Sequence, residues 1–428
     1  MEHSKKLPYP FLRNCAALLL NYTGEIPFHL YLKQEFKKNS SWGGKDRKNY
    51  RKYSYLFWRN AELLDKTNTE TVIQWLDQMS RSLSEKQSTA DSKPLTDSKH
   101  IAVTEQLSVA EPLAVAEQPA KSEHLQGTLA KSQNFWDEFP PLSKDLLTNS
   151  QPAIDWIRWF TTEPPVWIKV VNPAHFNRVK DRLQQLSISI LEEKVELQAL
   201  SIPAQSNIQE LEEEGWVIIQ DIGSQQSVVW KDFIDSNTLS NSNGMTMVWD
   251  ACCGAGGKSL SLRILYSNLD IQCSDVRQSI LDNLTSRFNK TRLVLPFIFK
   301  HNLEVSANKK TKFRIVLADI PCSGSGTWRR NPEAKWYYDE DKWQGMVSKQ
   351  LQMVSNAAAS VADDGFLIVC TCSLFARENE ALIDSFLAAN ALENKSNSTK
   401  WEILDQRFLG GIRENGDYIY RSILKRLQ

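Results

Sequence analysis

The spacing of apolar side chains changes character twice along the chain. Leu, Ala and aromatic residues crowd positions 11–21, and a short apolar-aromatic stretch follows Pro27. Positions 50–66 then place Tyr, Leu, Phe, Trp and Leu at helical intervals. Val72, Trp75, Leu76 and Met79 stand at i, i+3, i+4 and i+7 behind Asn68 or Thr69 as a cap, the stripe of an amphipathic helix. Short connections between these segments predict a small bundle over 1–83. From Ser84 to Gln133 the periodicity stops. Aromatic residues are absent there, and Val103-Thr-Glu-Gln, Val109-Ala-Glu-Pro and Val115-Ala-Glu-Gln recur at six-residue steps. Pro112 and Pro119 interrupt any long helix, and so little apolar surface cannot offset chain entropy. The expectation for 84–133 is a disordered linker.

Aromatic and branched residues return near 134. Positions 156–160 and 176–186 read as helices and 166–171 as a strand, predicting a small α+β subdomain over 134–215. Gly215 opens Trp216-Val-Ile-Ile-Gln as a lead-in to the next domain. From 216 to 428, strand and helix alternate, the pattern of an α/β domain with a wound parallel sheet. Candidate strands lie at 245–249, 271–274, 295–299, 313–318 and 366–370, with an antiparallel pair near 401–408 and 417–424. Helices are expected at 258–266, 276–287 and 346–361.

Charge redraws this outline. The 51 basic and 51 acidic residues cancel, yet residues 1–60 hold 12 Lys/Arg against 4 Asp/Glu, a local net of +8. Lys45, Arg47, Lys48 and Arg51 alternate with Tyr50 and Tyr53 in one stretch. That mixture fits phosphate contact with base stacking as well as it fits a solvated helix face. Glycine is skewed too: of 17, only Gly127 lies between positions 45 and 214. No run approaches the ~20 apolar residues of a membrane span. Seven cysteines, an odd number with no secretory leader ahead of them, suit free thiols in a reducing cytoplasm.

Each candidate strand ends in a polar or reactive residue: Asp250, Asp275, Asn302 after a short gap, Asp319 and Cys372. In an open α/β sheet, ligands bind beyond the carboxyl ends of the strands, so these residues should converge. The first strand runs into Asp250-Ala-Cys-Cys-Gly-Ala-Gly-Gly-Lys258-Ser259. A P-loop would need Gly where Cys252 stands, and G-x-G-x-x-G would need Gly at Ser259. What remains is a Gly-rich loop followed by an acid, Asp275, at the place where a ribose diol is gripped. These fit NAD and S-adenosylmethionine equally.

The thiols break the tie. Asp319-Ile-Pro-Cys322-Ser-Gly-Ser-Gly326 ends the fourth strand, and Thr371-Cys372-Ser373 ends the fifth. One strand-end thiol is ordinarily a packing residue; two beside an acid and a ligand loop need a chemical account. Cytosine C5 is too electron-poor to attack a methylsulfonium. A thiolate added to C6 makes C5 nucleophilic, and the thiol departs once the C5 proton is gone. Asp319 near the ring N3 would stabilise that adduct, and a second cysteine would assist release.

On these motifs the chain resembles the RNA cytosine-5 methyltransferases of the RsmB/NOL1/NOP2/Sun family. The loop at 250–259 is similar to the family's D-x-C-A-A-P-G-G-K-T, residues 319–326 to its D-x-P-C-S-G-x-G, and Arg329-Arg-Asn-Pro-Glu to its R-R-x-P-D. Thr371-Cys-Ser-Leu with Glu378-Asn379 resembles T-C-S…E-N, and Gln220-Asp221 with Ser224-Gln225 resembles Q-D-x-x-S-Q. The resemblance implies a class I, Rossmann-like S-adenosylmethionine-dependent methyltransferase domain behind a small RNA-contacting subdomain and a NusB-like helical domain. It implies Cys372 as C6 nucleophile, Cys322 as the releasing cysteine, and Lys258 and Asp319 in the catalytic group. Cys252, Cys253, Gly254, Ala255, Gly256, Gly257 and Lys258 would cradle the methionine part of the cofactor, with Asp275 on the ribose and Asp319 between cofactor and base. Ala255 replaces the usual proline, and Asn302 replaces an adenine-contacting Asp.

Arg329 and Arg330, following the catalytic loop, are expected on the RNA backbone. The implied substrate is small-subunit 16S rRNA, with tRNA as the alternative, acted on by a cytoplasmic monomer without membrane or metal. No CxxC or His accompanies Cys252-Cys253, and the six His form no cluster, so zinc is not expected. A catalytically idle RNA-binding assembly factor and a nucleotide-dependent oxidoreductase are the competing readings. Intact Cys322, Cys372, Asp319 and Lys258 oppose the first, and the broken G-x-G-x-x-G opposes the second.

Overall fold

A computed structural model describes residues 9–60, 69–90, 159–239, 245–307, 311–393 and 400–427. The linker expected over 84–133 lies outside the described residues beyond Ala90, as does the start of the helix expected at 156–160. The chain divides into two units.

Among the described residues, the first unit contains the helices α1 (Tyr9–Leu20), α2 (Phe28–Lys38), α3 (Gly44–Asn60) and α4 (Thr69–Ala90). Their apolar stripes meet in one core containing Leu19, Phe28, Leu32, Phe57, Trp58 and Leu76. Trp328–Tyr338, remote in sequence, belongs to this unit. Its anchors are specific: Tyr337 Oη donates to the Tyr22 carbonyl (2.6 Å), Trp336 Nε1 to the Trp58 carbonyl (3.2 Å), and Glu333 accepts from the Phe28 amide (3.4 Å).

Among its described residues, the second unit contains two sheets. β1 (Val166–Val170), β2 (Glu192–Lys194), β3 (Ala199–Ile202) and β4 (Val217–Ile219) form an antiparallel sheet in the order β2-β3-β1-β4, backed by the helix α5 (Phe176–Gln185). Trp216-Val-Ile-Ile-Gln is thus no mere lead-in: its centre is β4, paired with β1 through Ile168–Ile219, Lys169–Ile218 and Val170–Val217.

The larger sheet has seven strands. Along the chain come β5 (Thr246–Asp250), α6 (Gly257–Leu265), β6 (Leu269–Asp275), α7 (Gln278–Thr291), β7 (Phe297–Lys300) and β8 (Phe313–Asp319). They continue with α8 (Glu340–Ala358), β9 (Val361–Thr371), α9 (Glu380–Glu393), β10 (Lys400–Gly410) and β11 (Tyr418–Leu427). The order is β10-β11-β9-β8-β5-β6-β7, with β5 to β9 parallel and β11 antiparallel to β9. Strands such as β8, buried on both faces through Ile315, Val316, Leu317 and Ala318, carry the continuous apolar run of a covered parallel sheet. The chain leaves β5 toward β6 and β7, then returns to lay β8 on the other side of β5. That reversal puts a ligand crevice at the carboxyl ends of β5 and β8. Among the described residues, no helix is long and apolar enough to cross a membrane, and no group of three or more His, Cys, Asp or Glu is placed to hold a metal.

Candidate active site

The loop after β5 is open above and closed below. At Gly254 (φ +52°) a side chain would meet nothing within 4 Å, whereas at Gly256 (φ +76°) a Cβ would lie 2.7 Å from Leu284. Both backbones are left-handed, a conformation glycine adopts without strain. The loop is tied in place by Arg287 Nη1, which donates to the Ala255 carbonyl (2.8 Å), and by Gln220 Nε2, which donates to the Gly257 carbonyl (3.1 Å). Helix α6 starts at Gly257, and its first amides have no carbonyl partner within the helix. Cys253 is buried and Cys252 half-buried.

Asp275, at the end of β6, faces this loop and accepts from the Gly254 amide (3.2 Å). It also accepts from the Arg277 amide (2.9 Å) and guanidinium (3.0 and 3.1 Å). Burial opposes ionisation of this carboxyl, but the Arg277 contacts outweigh it and hold the pKa below the usual value. Arg277 itself is 61% exposed, so a ligand hydroxyl can displace it at little cost. Asn302 is exposed beyond β7, and its side-chain oxygen accepts from the Glu304 amide (3.0 Å), closing a turn.

At the reversal point Lys258 Nζ meets Asp319 Oδ2 at 2.6 Å. Burial disfavours the ammonium, yet the Asp319 carboxylate more than compensates and raises the Lys258 pKa above the ordinary lysine value. Next to Asp319, the loops after β8 and β9 bring the Sγ atoms of Cys322 and Cys372 to 3.4 Å. The Cys372 amide donates to Cys322 Sγ (3.2 Å), and the Gly326 amide donates to the Cys372 carbonyl (2.8 Å). Contact with Cys372 and burial push the Cys322 thiol well above its usual pKa. At this separation either sulfur can donate its S–H to the other.

Asp250 lies under this group, wholly buried, with one oxygen taking the Ser259 hydroxyl and the other unpaired. Burial pushes its carboxyl up to about 7, against the pull of Ser259 and Lys258. A carboxyl raised from the ~3.9 of an unfolded chain binds more protons folded than unfolded. Its contribution to stability is complete below pH ~3.9 and is lost as pH rises through about 7. Asp250→Asn should therefore flatten the fall in melting temperature between pH 5 and 8 by a few degrees; parallel wild-type and variant curves would contradict this burial effect.

Asp250, Lys258, Asp275, Asp319, Cys322 and Cys372 are thus gathered at one edge of the sheet. The RNA-facing expectations fare differently. Lys45, Lys48 and Arg51 are exposed on α3, but Arg47 is half-buried with its Nε on the Trp42 carbonyl (2.8 Å). Arg329 corrects the sequence reading. It is 5% exposed, and its guanidinium donates to the carbonyl (3.3 Å) and hydroxyl (3.0 Å) of Thr162; a guanidinium so enclosed is not available to a phosphate. Arg330 is exposed. The sequence reading gave no role to the loop anchors Gln220 and Arg287. Gln220 stands in a quoted motif that signalled it, whereas Arg287 sits on α7 with no local signal.

Known proteins resemble this chain in the same region. Residues 237–411 match the family model for the 16S rRNA methyltransferases RsmB/F. Ribosomal RNA small subunit methyltransferase B of Escherichia coli is 24% identical over 271 residues, covering 61% of this chain and 60% of that protein. The protein of the same name from Salmonella arizonae is 26% identical over 216 residues, 50% of this chain and 48% of its own. The chain thus spans about 60% or less of the length of these curated relatives. Among solved structures, the crystal structure of PH0851 superposes with a TM-score of 0.66 at 18% identity, covering 98% of this chain and 100% of the other. A methyltransferase homologue from Pyrococcus horikoshii gives 0.51 at 18% identity over 65% and 91%. These two likenesses concern the fold, an α/β domain built on a central parallel sheet.

Proposed function

Because residues 237–411 match the RsmB/F methyltransferase family model, we propose that this protein methylates C5 of a cytosine in small-subunit rRNA, in the cytoplasm, through a covalent adduct on Cys372. The observation that carries the reading is the pair of sulfurs 3.4 Å apart, next to the Lys258–Asp319 ion pair at the strand reversal.

The site suits S-adenosylmethionine. The space above Gly254 admits a ligand against the loop backbone, and Asp275 offers a carboxylate whose exposed Arg277 partner a ribose diol can replace. Asn302 then lies toward the adenine end. When bound, S-adenosylmethionine supplies an electrophilic methyl group at sulfur. Cys372 provides the nucleophile: its sulfur lone pair forms the bond to cytosine C6, and the C5–C6 π pair becomes the C5 lone pair that takes the methyl. Asp319, held by Lys258, faces the N3 side of the base and stabilises the adduct. Loss of the C5 proton to a base re-forms the C5–C6 double bond, and the C6–S pair leaves on Cys372. Cys322 donates its S–H to that departing sulfur.

The helical region at 1–83 is the RNA-binding domain of this reading, with Lys45, Lys48 and Arg51 on its exposed face. Residues 134–215 contact RNA near the catalytic domain at 216–428.

The test uses labelled S-adenosylmethionine with small-subunit rRNA and tRNA transcripts, followed by base-resolved mapping. We expect 5-methylcytosine at a defined site in the rRNA and none in tRNA. Label confined to tRNA would replace the substrate, and label at an atom other than C5 would overturn the chemistry.

A further inference from the structure

We propose that Glu378 is a positioning residue for both thiols: its single carboxylate ties the Cys322 loop to the Cys372 loop and keeps the two sulfurs in contact. The proposal rests on the two-thiol reading above and adds a residue that touches neither substrate nor cofactor.

Glu378 closes a short turn, Ala376–Glu378, ahead of α9, and is 1% exposed. Its Oε1 accepts from the Ser323 amide (2.9 Å) and from Gln350 Nε2 (3.0 Å). Its Oε2 accepts from the Ser373 hydroxyl. Ser323 follows Cys322 directly, and Ser373 follows Cys372. Gln350 Nε2 also donates to the Pro321 carbonyl (2.8 Å), the residue before Cys322. Both neighbours of Cys322 and the next residue after Cys372 are therefore fixed, directly or through Gln350, to one buried carboxylate. Three donors on two oxygens are what an acceptor-only carboxylate satisfies, and bonds to a charged acceptor are stronger than neutral ones.

A neutral prop would hold the loops equally well, but a charge does more. The Glu378 carboxylate adds to the contact with Cys372 and the burial that raise the Cys322 thiol. It thereby keeps the proton on Cys322, where release of Cys372 needs it. Position and proton are set by the same group.

Glu378→Gln preserves shape and one acceptor oxygen while removing the charge. In the full-length protein, single-turnover methylation should fall about a hundred-fold, the scale of a catalytic group displaced by about 1 Å. KM for RNA and for S-adenosylmethionine should stay within about two-fold, because the binding loop is untouched. Alkylation by iodoacetamide, read cysteine by cysteine by mass spectrometry across pH, should show the Cys322 midpoint moving down. Glu378→Asp, which keeps the charge, should return that midpoint toward wild type. A purely structural prop would leave the alkylation profile where it is, and an unchanged Cys322 midpoint in a folded Glu378→Gln protein sinks the proposal. If Glu378→Gln does not fold, Ser373→Ala removes the link to the Cys372 loop alone; turnover within about two-fold of wild type would then overturn the clamp. The alkylation profile needs no RNA, so it separates failure of this inference from failure of the methyltransferase reading.

Discussion

Cys372→Ala should abolish transfer to C5, lowering the single-turnover rate at least about a thousand-fold, or ~4 kcal/mol of barrier. Cys322→Ala should do something different: it should leave protein joined to RNA. The contrast follows from the geometry of the two sulfurs. Cys372 lies just past the end of β9, its sulfur 3.4 Å from that of Cys322. Without Cys372 no atom adds to C6, C5 keeps its poor nucleophilicity, and no adduct forms. Without Cys322 the Cys372 sulfur can still attack; its departure suffers, because the leaving sulfur loses the thiol that would hydrogen-bond it. The adduct should survive denaturing electrophoresis as a slow band carrying labelled RNA, and Cys372→Ala in the same background should erase that band. Both variants should bind S-adenosylmethionine as wild type does, since neither sulfur belongs to the 252–257 loop. Turnover by Cys372→Ala within ten-fold of wild type would remove the nucleophile assignment, and a band on Cys372→Ala alone would exchange the two roles.

These thiols were legible in the sequence because each ends an apolar run that could only be a buried strand. Val316-Leu317-Ala318 and Leu367-Ile368-Val369 are almost fully buried, and the residues just past such runs must lie at the sheet's edge. Boundaries set by hydrogen bonds rather than by burial were not legible. A helix was expected from 276, but α7 begins at Gln278 because the Asp275 side chain captures the Arg277 amide and delays the first turn. Helix α8 starts at Glu340 rather than 346, since its first residues offer no apolar stripe to read, and it stops at Ala358 because Val361 already opens β9 opposite Phe313. β2 is Glu-Glu-Lys, an edge strand with no apolar alternation at all. Arg329 failed for another reason. Its partner Thr162 stands 167 residues earlier, and no local pattern announces that a charged side chain will be enclosed by a distant segment. Glu378 was visible as part of a motif, but its three donors come from three separate stretches of chain.

Lys258→Met should cost methyl transfer about a hundred-fold, ~3 kcal/mol, with a smaller effect on cofactor affinity. Lys258 is the second residue of α6, its side chain 9% exposed, and its Nζ is 2.6 Å from Asp319 Oδ2. Methionine fills the same channel, so the loss is one of charge and hydrogen bonding rather than of packing. Removing one partner of a buried ion pair ordinarily costs ~3–5 kcal/mol. Asp319 is 34% exposed, however, and water at that carboxylate moves the expectation to the low end of the range. The neighbourhood resists further negative charge, since Asp250 already feels Asp319 and Asp275, with Lys258 acting against them. Without the ammonium, Asp319 is free to rotate away from the base, which removes it from the N3 edge at the moment the adduct needs it. Lys258→Arg should not restore the rate, because a planar fork cannot reproduce a point charge in the same channel. The decisive measurement is a double-mutant cycle: if Lys258 and Asp319 act as one unit, Lys258→Met with Asp319→Asn loses little more than Asp319→Asn alone. Additive losses would separate the two residues and leave Asp319 to be positioned by something else.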